Sequence, residues 1–158
     1  MINTDINMYQ LDCSVWLKPV WHNDPPLIKL GIDNNVEQIS LTEPTEFKFN
    51  QTLDSGEHTL TIEFLNKIDS DTQFHLGLDK AVIVDKIVFF GINDPKFVWQ
   101  GKYTPQYPER WVSQQSTPPS KILLMHNYLG WNGVWKLQFQ LPIFTWIHQV
   151  QDLGWIYQ

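Results

Sequence analysis

The most constraining feature of the sequence is an apolar run near its middle, at residues 78–91. Val and Ile dominate its centre, an acidic residue precedes it and a glycine follows it, which predicts a largely buried β-strand rather than a helix. We expect this strand to lie at the centre of a sheet. Asp85 and Lys86 interrupt the run and should point to opposite faces. Asp85 would then share its face with Ile83 and Ile87, so its carboxylate needs a partner.

The segment before this run predicts a strand followed by an acidic loop. Residues 58–66 alternate apolar and polar side chains, as expected of a half-buried strand. Residues 67–72 are polar and acidic, which indicates a loop. Strand, acidic loop and buried strand form the predicted nucleus of the fold.

Short strands are also predicted over much of the remaining chain. Runs with strand character lie at residues 9–17, 27–32, 36–41, 45–49 and 133–141. Turn signals separate them about every eight to twelve residues, which is typical of a sandwich or barrel. The predicted fold class is therefore all-β, an antiparallel β-sandwich of the jelly-roll type.

The chain after residue 95 predicts a long arm and one short helix. Residues 96–120 mix aromatic, Pro and polar side chains without either period, which indicates a long extended loop used in function or assembly. Pro142 suits a first helical turn, and the apolar residues 143, 146, 147 and 150 follow with helical spacing. Residues 155–157 are compatible with a last edge strand. A chain of 158 residues is most simply one domain, residues 1–158.

Composition excludes several functional classes. Eleven basic against 17 acidic residues give a formal net charge of −6, so the chain lacks the basic surplus needed to bind nucleic acid or an anionic membrane. The single Cys13 cannot form an internal disulfide and is expected to be a buried apolar residue. No signal peptide is recognisable at the N-terminus, and no apolar stretch approaches the roughly 20 residues that span a bilayer. We expect synthesis in the cytoplasm.

No catalytic motif stands out. The sequence lacks Gly-x-Ser-x-Gly, a Gly-rich phosphate loop, His-Glu-x-x-His and a cysteine pair with zinc spacing. We therefore expect a protein that is not an enzyme and has no catalytic residues, a site assembled from distant residues being the alternative.

Side chains of the predicted arm are the candidates for binding. Aromatic faces can stack on pyranose rings, whereas aromatics together with Pro, Gln and Arg also form protein interfaces. The candidates for contact with a glycan or a neighbouring subunit are Trp99, Tyr103, Tyr107, Arg110 and Trp111. Of these two partners, protein is favoured. The tryptophans expected in the core are Trp16, Trp131, Trp135 and Trp146.

Oxygen ligands for a metal concentrate around the acidic loop and the central strand. Calcium takes about six to eight oxygens at roughly 2.3–2.6 Å. The candidate ligands are Asp69, Asp71, Asp79 and Asp85, with Asn66 nearby. The favoured alternative is that the first two cap a turn and that Asp85 pairs with a lysine or a backbone amide. We thus expect no cofactor, with calcium as the alternative.

The same residues carry a resemblance to a known family. Asn66-Lys67, the acidic loop, Asp79-Lys80 and the strand that closes on Gly91 resemble the signature of calcium-dependent xylan-binding carbohydrate-binding modules. The resemblance implies a β-sandwich with a calcium ion in the loops that contact sugar. Lys67 stands where that family has Asp, and Lys80 where it has Arg. If either lysine neutralises the acidic cluster, the protein is expected to be indifferent to a calcium chelator.

The chain also resembles small uncharacterised proteins of tailed phages, notably those of cyanobacteria. They have a similar acidic loop, an Asp-Lys-Ala strand and a later aromatic-Asn-Gly turn, here at residues 131–133. The predicted function is a non-enzymatic structural or accessory protein of a tailed-phage virion, either capsid decoration or a tail component. Its partners would be other virion proteins or further copies of itself. The alternative is a glycan-binding adhesin module that recognises polysaccharide on the host surface.

Overall fold

A computed structural model describes residues 7–152, which form two antiparallel β-sheets around a shared core. The strands of this range are β1 (Met8–Val20), β2 (Leu27–Ile32), β3 (Asn35–Ser40), β4 (Thr45–Asp54), β5 (Gly56–Phe64), β6 (Ala81–Phe89), β7 (Ile92–Asn93), β8 (Lys102–Pro105), β9 (Leu123–Leu124), β10 (Tyr128–Leu129) and β11 (Gly133–Leu141). Its α-helices are α1 (Pro95–Trp99), α2 (Glu109–Val112) and α3 (Ile143–Gln151). The predicted fold class, an all-β antiparallel sandwich with a C-terminal helix, is confirmed.

The two sheets differ in strand order. The first sheet has the order β10-β6-β1-β4, with β7 also paired to β6, and the second has the order β3-β2-β5-β11-β8-β9. β6 is the predicted central strand, and it does lie inside its sheet between β10 and β1. β5 and β11 occupy the middle of the second sheet and pair along their whole lengths.

A β-bulge in β6 corrects the predicted faces of this strand. Trp16 pairs with Lys86 and Leu17 pairs with Val84, so Asp85 is the extra residue. An extra residue reverses the alternation on one side of the bulge. Ile87 is therefore buried while Ile83 and Asp85 are not, and the expectation that these three share a face is wrong.

The core is built from alternate residues of strands in both sheets. Leu11, Cys13, Val15 and Leu17 of β1 are completely buried, as are Trp135, Leu137 and Phe139 of β11. Burial of apolar side chains on facing sheets is the main favourable contribution to folding, at roughly 25 cal/mol for each Å² removed from water. Burial also raises the pKa of the Cys13 thiol to about 12, which fits the predicted buried apolar role.

Helix α3 closes one part of this core as predicted. Pro142 precedes the helix, and Ile143, Trp146 and Ile147 are buried on its inner face. The Trp146 ring lies 5.5 Å from that of Phe89 in an edge-to-face arrangement. None of the helices within residues 7–152 has the length and apolar character needed to cross a membrane. The predicted edge strand at 155–157 lies outside the described residues.

The predicted extended arm at 96–120 is wrong over residues 96–112. This segment contains most of α1 and all of β8 and α2, and Phe97, Val98 and Tyr103 are buried. It folds back because β8 pairs with β11, where Trp135 lies over Gly101. A Cβ atom on Gly101 would lie 2.1 Å from the Trp135 ring, so only glycine allows this approach. Residues 113–120 have no regular secondary structure.

The four tryptophans expected in the core divide into two pairs. Trp135 and Trp146 are buried, as predicted. Trp16 is only half-buried, and the Lys86 Nζ atom lies over its ring at 4.5 Å from the centroid. Trp131 is also half-buried, and it lies in the cleft described next.

Candidate functional site

An open cleft of about 620 Å³ lies at the end of the sandwich where β5 stops and β11 begins. Three stretches of the chain line it, at residues 67–79, 106–114 and 123–132. They meet because Gly133, the first residue of β11, pairs with Phe64 on one side and Pro105 on the other. The loops that extend from these three strands therefore share one end of the second sheet.

Stacked aromatic rings form one wall of the cleft. The rings of Tyr107 and Trp111 stack with centroids 5.0 Å apart, and the ring of Trp131 lies 5.2 Å from that of Trp111. The Tyr107 hydroxyl donates a hydrogen bond of 2.9 Å to the Ser120 carbonyl oxygen. We call Tyr107, Trp111 and Trp131 the aromatic wall. Its rings support one another, which keeps a large apolar surface in place.

Tyr103 supports the aromatic wall from below and is not a surface contact. Its side chain is completely buried, its hydroxyl donates to the Trp131 carbonyl oxygen, and the Trp131 amide donates to that hydroxyl at 3.0 Å. Burial raises the pKa of Tyr103 above its usual value, so the hydroxyl stays protonated and able to donate. The expectation that Tyr103 contacts a glycan or a subunit is corrected, because its side chain is completely buried and its hydroxyl is bonded to the Trp131 backbone.

Two asparagines hold the loops of the cleft together. The Asn132 side chain accepts from the Lys67 amide at 2.7 Å and donates to the Lys67 carbonyl oxygen at 2.9 Å. Asn66 makes the same paired contact with another loop, accepting from the Leu27 amide at 2.8 Å and donating to the Pro25 carbonyl oxygen at 3.0 Å. Asn66 is thus engaged in structure, and its side-chain oxygen already has a partner.

A charged pair forms the polar floor of the cleft. The Lys67 ammonium lies 2.6 Å from Asp79 Oδ1, and only 8% of the Lys67 side chain is exposed. Thr72 donates to the same oxygen at 2.6 Å, and the Tyr128 hydroxyl donates to Asp79 Oδ2 at 2.5 Å. Burial alone would raise the pKa of Asp79, but these hydrogen bonds outweigh burial and lower it. Asp79 therefore stays ionised. We call Lys67, Asp79 and Tyr128 the polar floor.

A second lysine neutralises the carboxylates behind the floor. Lys80 is 1% exposed, and its ammonium lies 2.7 Å from Asp24 Oδ1 and 3.4 Å from Asp71 Oδ2. It also donates to the Asn66 carbonyl oxygen at 3.2 Å. Asp71 is completely buried, and its Oδ2 accepts from the Ile68 amide at 2.8 Å. Asp71 thus shapes the acidic loop, as the capping interpretation predicts.

The four aspartates proposed as calcium ligands do not converge. Asp71 and Asp79 are paired with separate lysines, Asp69 is exposed, and Asp85 lies at the bulge, 3.4 Å from the Lys18 ammonium. Residues 7–152 contain no group of three or more His, Cys, Asp or Glu side chains that could hold a metal ion. This arrangement does not fit calcium, because the four carboxylates lie apart and lysine ammonium groups already pair with Asp71, Asp79 and Asp85. Indifference to chelator remains a prediction.

The predicted aromatic contacts separate in the structure. Arg110 and Trp111 line the cleft, Tyr107 packs behind Trp111, and Trp99 lies on α1 away from the cleft. Sequence reasoning did not identify Tyr128 of the polar floor or Trp131 of the aromatic wall as site residues. The sequence signal for Trp131 was the turn at 130–133, which places this aromatic residue beside the start of a strand.

Comparisons with known proteins give one structural match. No family model matches the chain, and neither does any curated protein. The match is vCBM60 in its selenomethionine form, from a study of circular permutation as an evolutionary link between two families of calcium-dependent carbohydrate-binding modules. It is 18% identical, the alignment covers 80% of this chain and 89% of that chain, and the TM-score is 0.49. None of these comparisons shows a phage protein. The chain is similar in structure to a calcium-dependent carbohydrate-binding module.

Proposed function

We propose that this protein is a non-enzymatic glycan-binding module whose cleft binds a segment of polysaccharide. The observation that carries the proposal is that two rings of the aromatic wall, Trp111 and Trp131, line the same open cleft as the polar floor. Aromatic faces suit the C–H faces of sugar rings, and charged hydrogen-bonding groups suit their hydroxyls. Binding sites of this kind combine apolar area with a few placed polar groups.

The charges around the cleft favour an uncharged polysaccharide. Its charged lining residues are Lys67, Asp69, Asp79 and Arg110, which are two cations and two anions and so sum to zero. The whole chain carries a formal charge of −6, which repels an acidic polymer at long range. A neutral polymer is not subject to this repulsion.

Replacing Trp111 with Ala tests the proposal. Binding to soluble neutral polysaccharides (arabinoxylan, mixed-linkage β-glucan and galactomannan) would be measured by affinity electrophoresis and calorimetry. We expect wild type to bind at least one of them and Trp111→Ala to bind at least tenfold more weakly, about 1.4 kcal/mol. The matched control is Trp99→Ala, which removes a partly exposed tryptophan outside the cleft.

Two results would count against glycan binding in this cleft. One is a folded wild-type protein, verified by circular dichroism, that binds none of the three polymers. The other is a Trp111→Ala variant that binds as tightly as Trp99→Ala.

Contact with another protein is the second candidate, and exposed apolar side chains favour it. Phe74, at the edge of the cleft, is 92% exposed, and Ile68, Leu124 and Met125 are also exposed. Such side chains are typical of protein contacts and add little to binding of a hydrophilic polymer. The virion role and virion localisation predicted from the sequence belong to this candidate. Light scattering would support contact with another copy of the protein if wild type self-associates and Phe74→Ser does not. Mass spectrometry of purified phage particles tests whether the protein is part of the virion.

A further inference from the structure

The Lys67 ammonium has hydrogen-bond donors to spare inside the cleft. An ammonium carries three N–H donors, and Asp79 Oδ1 is the one acceptor within hydrogen-bond distance among the described residues. The Trp131 ring lies beside it, with its centroid 5.6 Å from Nζ. The Lys67 side chain is 8% exposed and lines the open cleft, so its remaining N–H donors are placed to bind a ligand there.

Asp79 is the matching acceptor. A carboxylate offers about four acceptor positions. Lys67 and Thr72 share Oδ1, and the Tyr128 hydroxyl binds Oδ2. Oδ2 therefore retains an acceptor position, and Asp79 also lines the cleft. Sugar hydroxyls both donate and accept, so one hydroxyl can donate to Asp79 while another accepts from Lys67.

The same geometry opposes a divalent cation. An ion bound to Asp79 would lie within a few ångströms of the Lys67 ammonium, where repulsion between like charges is strong. The neighbouring carboxylate of Asp71 is also paired with a lysine, because its Oδ2 lies 3.4 Å from the Lys80 ammonium, although its buried Oδ1 has no hydrogen-bond partner among the described residues. Each carboxylate thus already has a cation supplied by the chain itself.

We infer that Lys67 and Asp79 bind hydroxyl groups of the glycan directly, and that the cleft works without a divalent cation because Lys67 supplies the positive charge. This inference rests on the proposed glycan-binding function. Lys67 is then a binding residue, and Lys80 is a positioning residue that holds the acidic loop.

Metal independence is tested on the wild-type protein in two measurements. Affinity for the polysaccharide probe that binds best would be measured by calorimetry in EDTA and in millimolar calcium chloride. Thermal unfolding would be followed under the same two conditions with no polysaccharide present. We expect affinities that agree within twofold and melting temperatures that agree within about one degree. Binding that requires calcium, or a melting temperature that calcium raises by several degrees, would overturn the inference.

The role of Lys67 is tested with Lys67→Met, which keeps a long apolar stem and removes the charge. We expect at least a tenfold loss of affinity, with partial recovery in Lys67→Arg, which restores donors and charge. The control is Lys102→Met, an exposed lysine outside the cleft. Asp79→Asn provides a second variant, which leaves Lys67 in place and retains the shape of the substituted side chain, and it should also weaken binding at least tenfold.

The outcomes separate the two claims. If folded wild type binds no probe, the proposed function fails and the binding role of Lys67 fails with it, while the calcium melting experiment still decides metal independence. If wild type binds but Lys67→Met and Asp79→Asn bind equally well, the direct role of this pair is refuted and the proposed function stands.

Discussion

Replacing Lys80 with Met is expected to destabilise the protein by about 3–5 kcal/mol, the usual cost of breaking a buried ion pair. Asp71, which is 0% exposed, would be left as a buried carboxylate without its cation. Asp24 is 59% exposed on its side chain and would be rehydrated, so the cost comes mainly from Asp71. Domains of this size have about 5–15 kcal/mol of stability in total, so the loss is a large share of it.

Urea denaturation followed by tryptophan fluorescence measures this loss, since the midpoint shifts in proportion to the free energy of unfolding. The matched control is Lys18→Met, because Lys18 and Asp85 are 3.4 Å apart with side chains 50% and 35% exposed. An exposed pair contributes about 0–1 kcal/mol.

A double variant tests the origin of the cost. Adding Asp71→Asn to Lys80→Met removes the buried charge and keeps an acceptor for the Ile68 amide, so part of the stability should return. The reasoning is refuted if Lys80→Met is no more destabilising than Lys18→Met. It is equally refuted if the two changes at 71 and 80 add without any recovery.

Two further predictions concern pH and packing. Burial lowers the pKa of His58, but the Asp33 carboxylate at 2.6 Å and the Asp54 carbonyl oxygen at 2.8 Å, with the charges of both aspartates, together outweigh burial and raise the pKa. The stability that His58 contributes is therefore complete below about pH 6.5 and is lost as pH rises through the higher folded pKa. The free energy of unfolding of wild type should exceed that of His58→Gln by an amount that decreases from pH 5.5 to 8 in urea denaturation. A difference that stays constant over this range contradicts the prediction. Gly101→Ala should cost about 1–3 kcal/mol, because its Cβ would lie 2.1 Å from the Trp135 ring. An unchanged melting temperature would show that the ring can move aside.

The parts of the fold that could be predicted are those in which one face of an element is buried. β1, β5 and β11 each alternate buried and accessible residues, and this period of two is present in the sequence. Helix α3 buries one side and carries the matching helical period. In each case the spacing of apolar side chains in the sequence directly reflects which face of the element is buried.

The parts that could not be predicted depend on contacts between distant residues. α1 and β8 are five and four residues long, too short to establish a period, and Tyr103 is buried through pairing of β8 with β11. The bulge at Asp85 arises where β6 pairs with β1, and nothing within β6 alone specifies which residue is extra. The composition of residues 96–120 therefore predicted an arm, whereas the pairing of β8 with β11 makes part of this segment core.

The candidate site shows the same limit at the level of single contacts. The sequence places Lys67 and Lys80 beside acidic residues, and this suggests internal neutralisation without specifying the partners. Lys67 pairs with Asp79, 12 residues away, whereas Lys80 pairs with Asp24, which belongs to the loop before β2. That loop reaches Lys80 because Asn66 binds the backbone on either side of residue 26. Since an ammonium can satisfy a carboxylate only within a few ångströms, the choice between a metal site and a lysine site depends on these loop contacts and not on the count of aspartates.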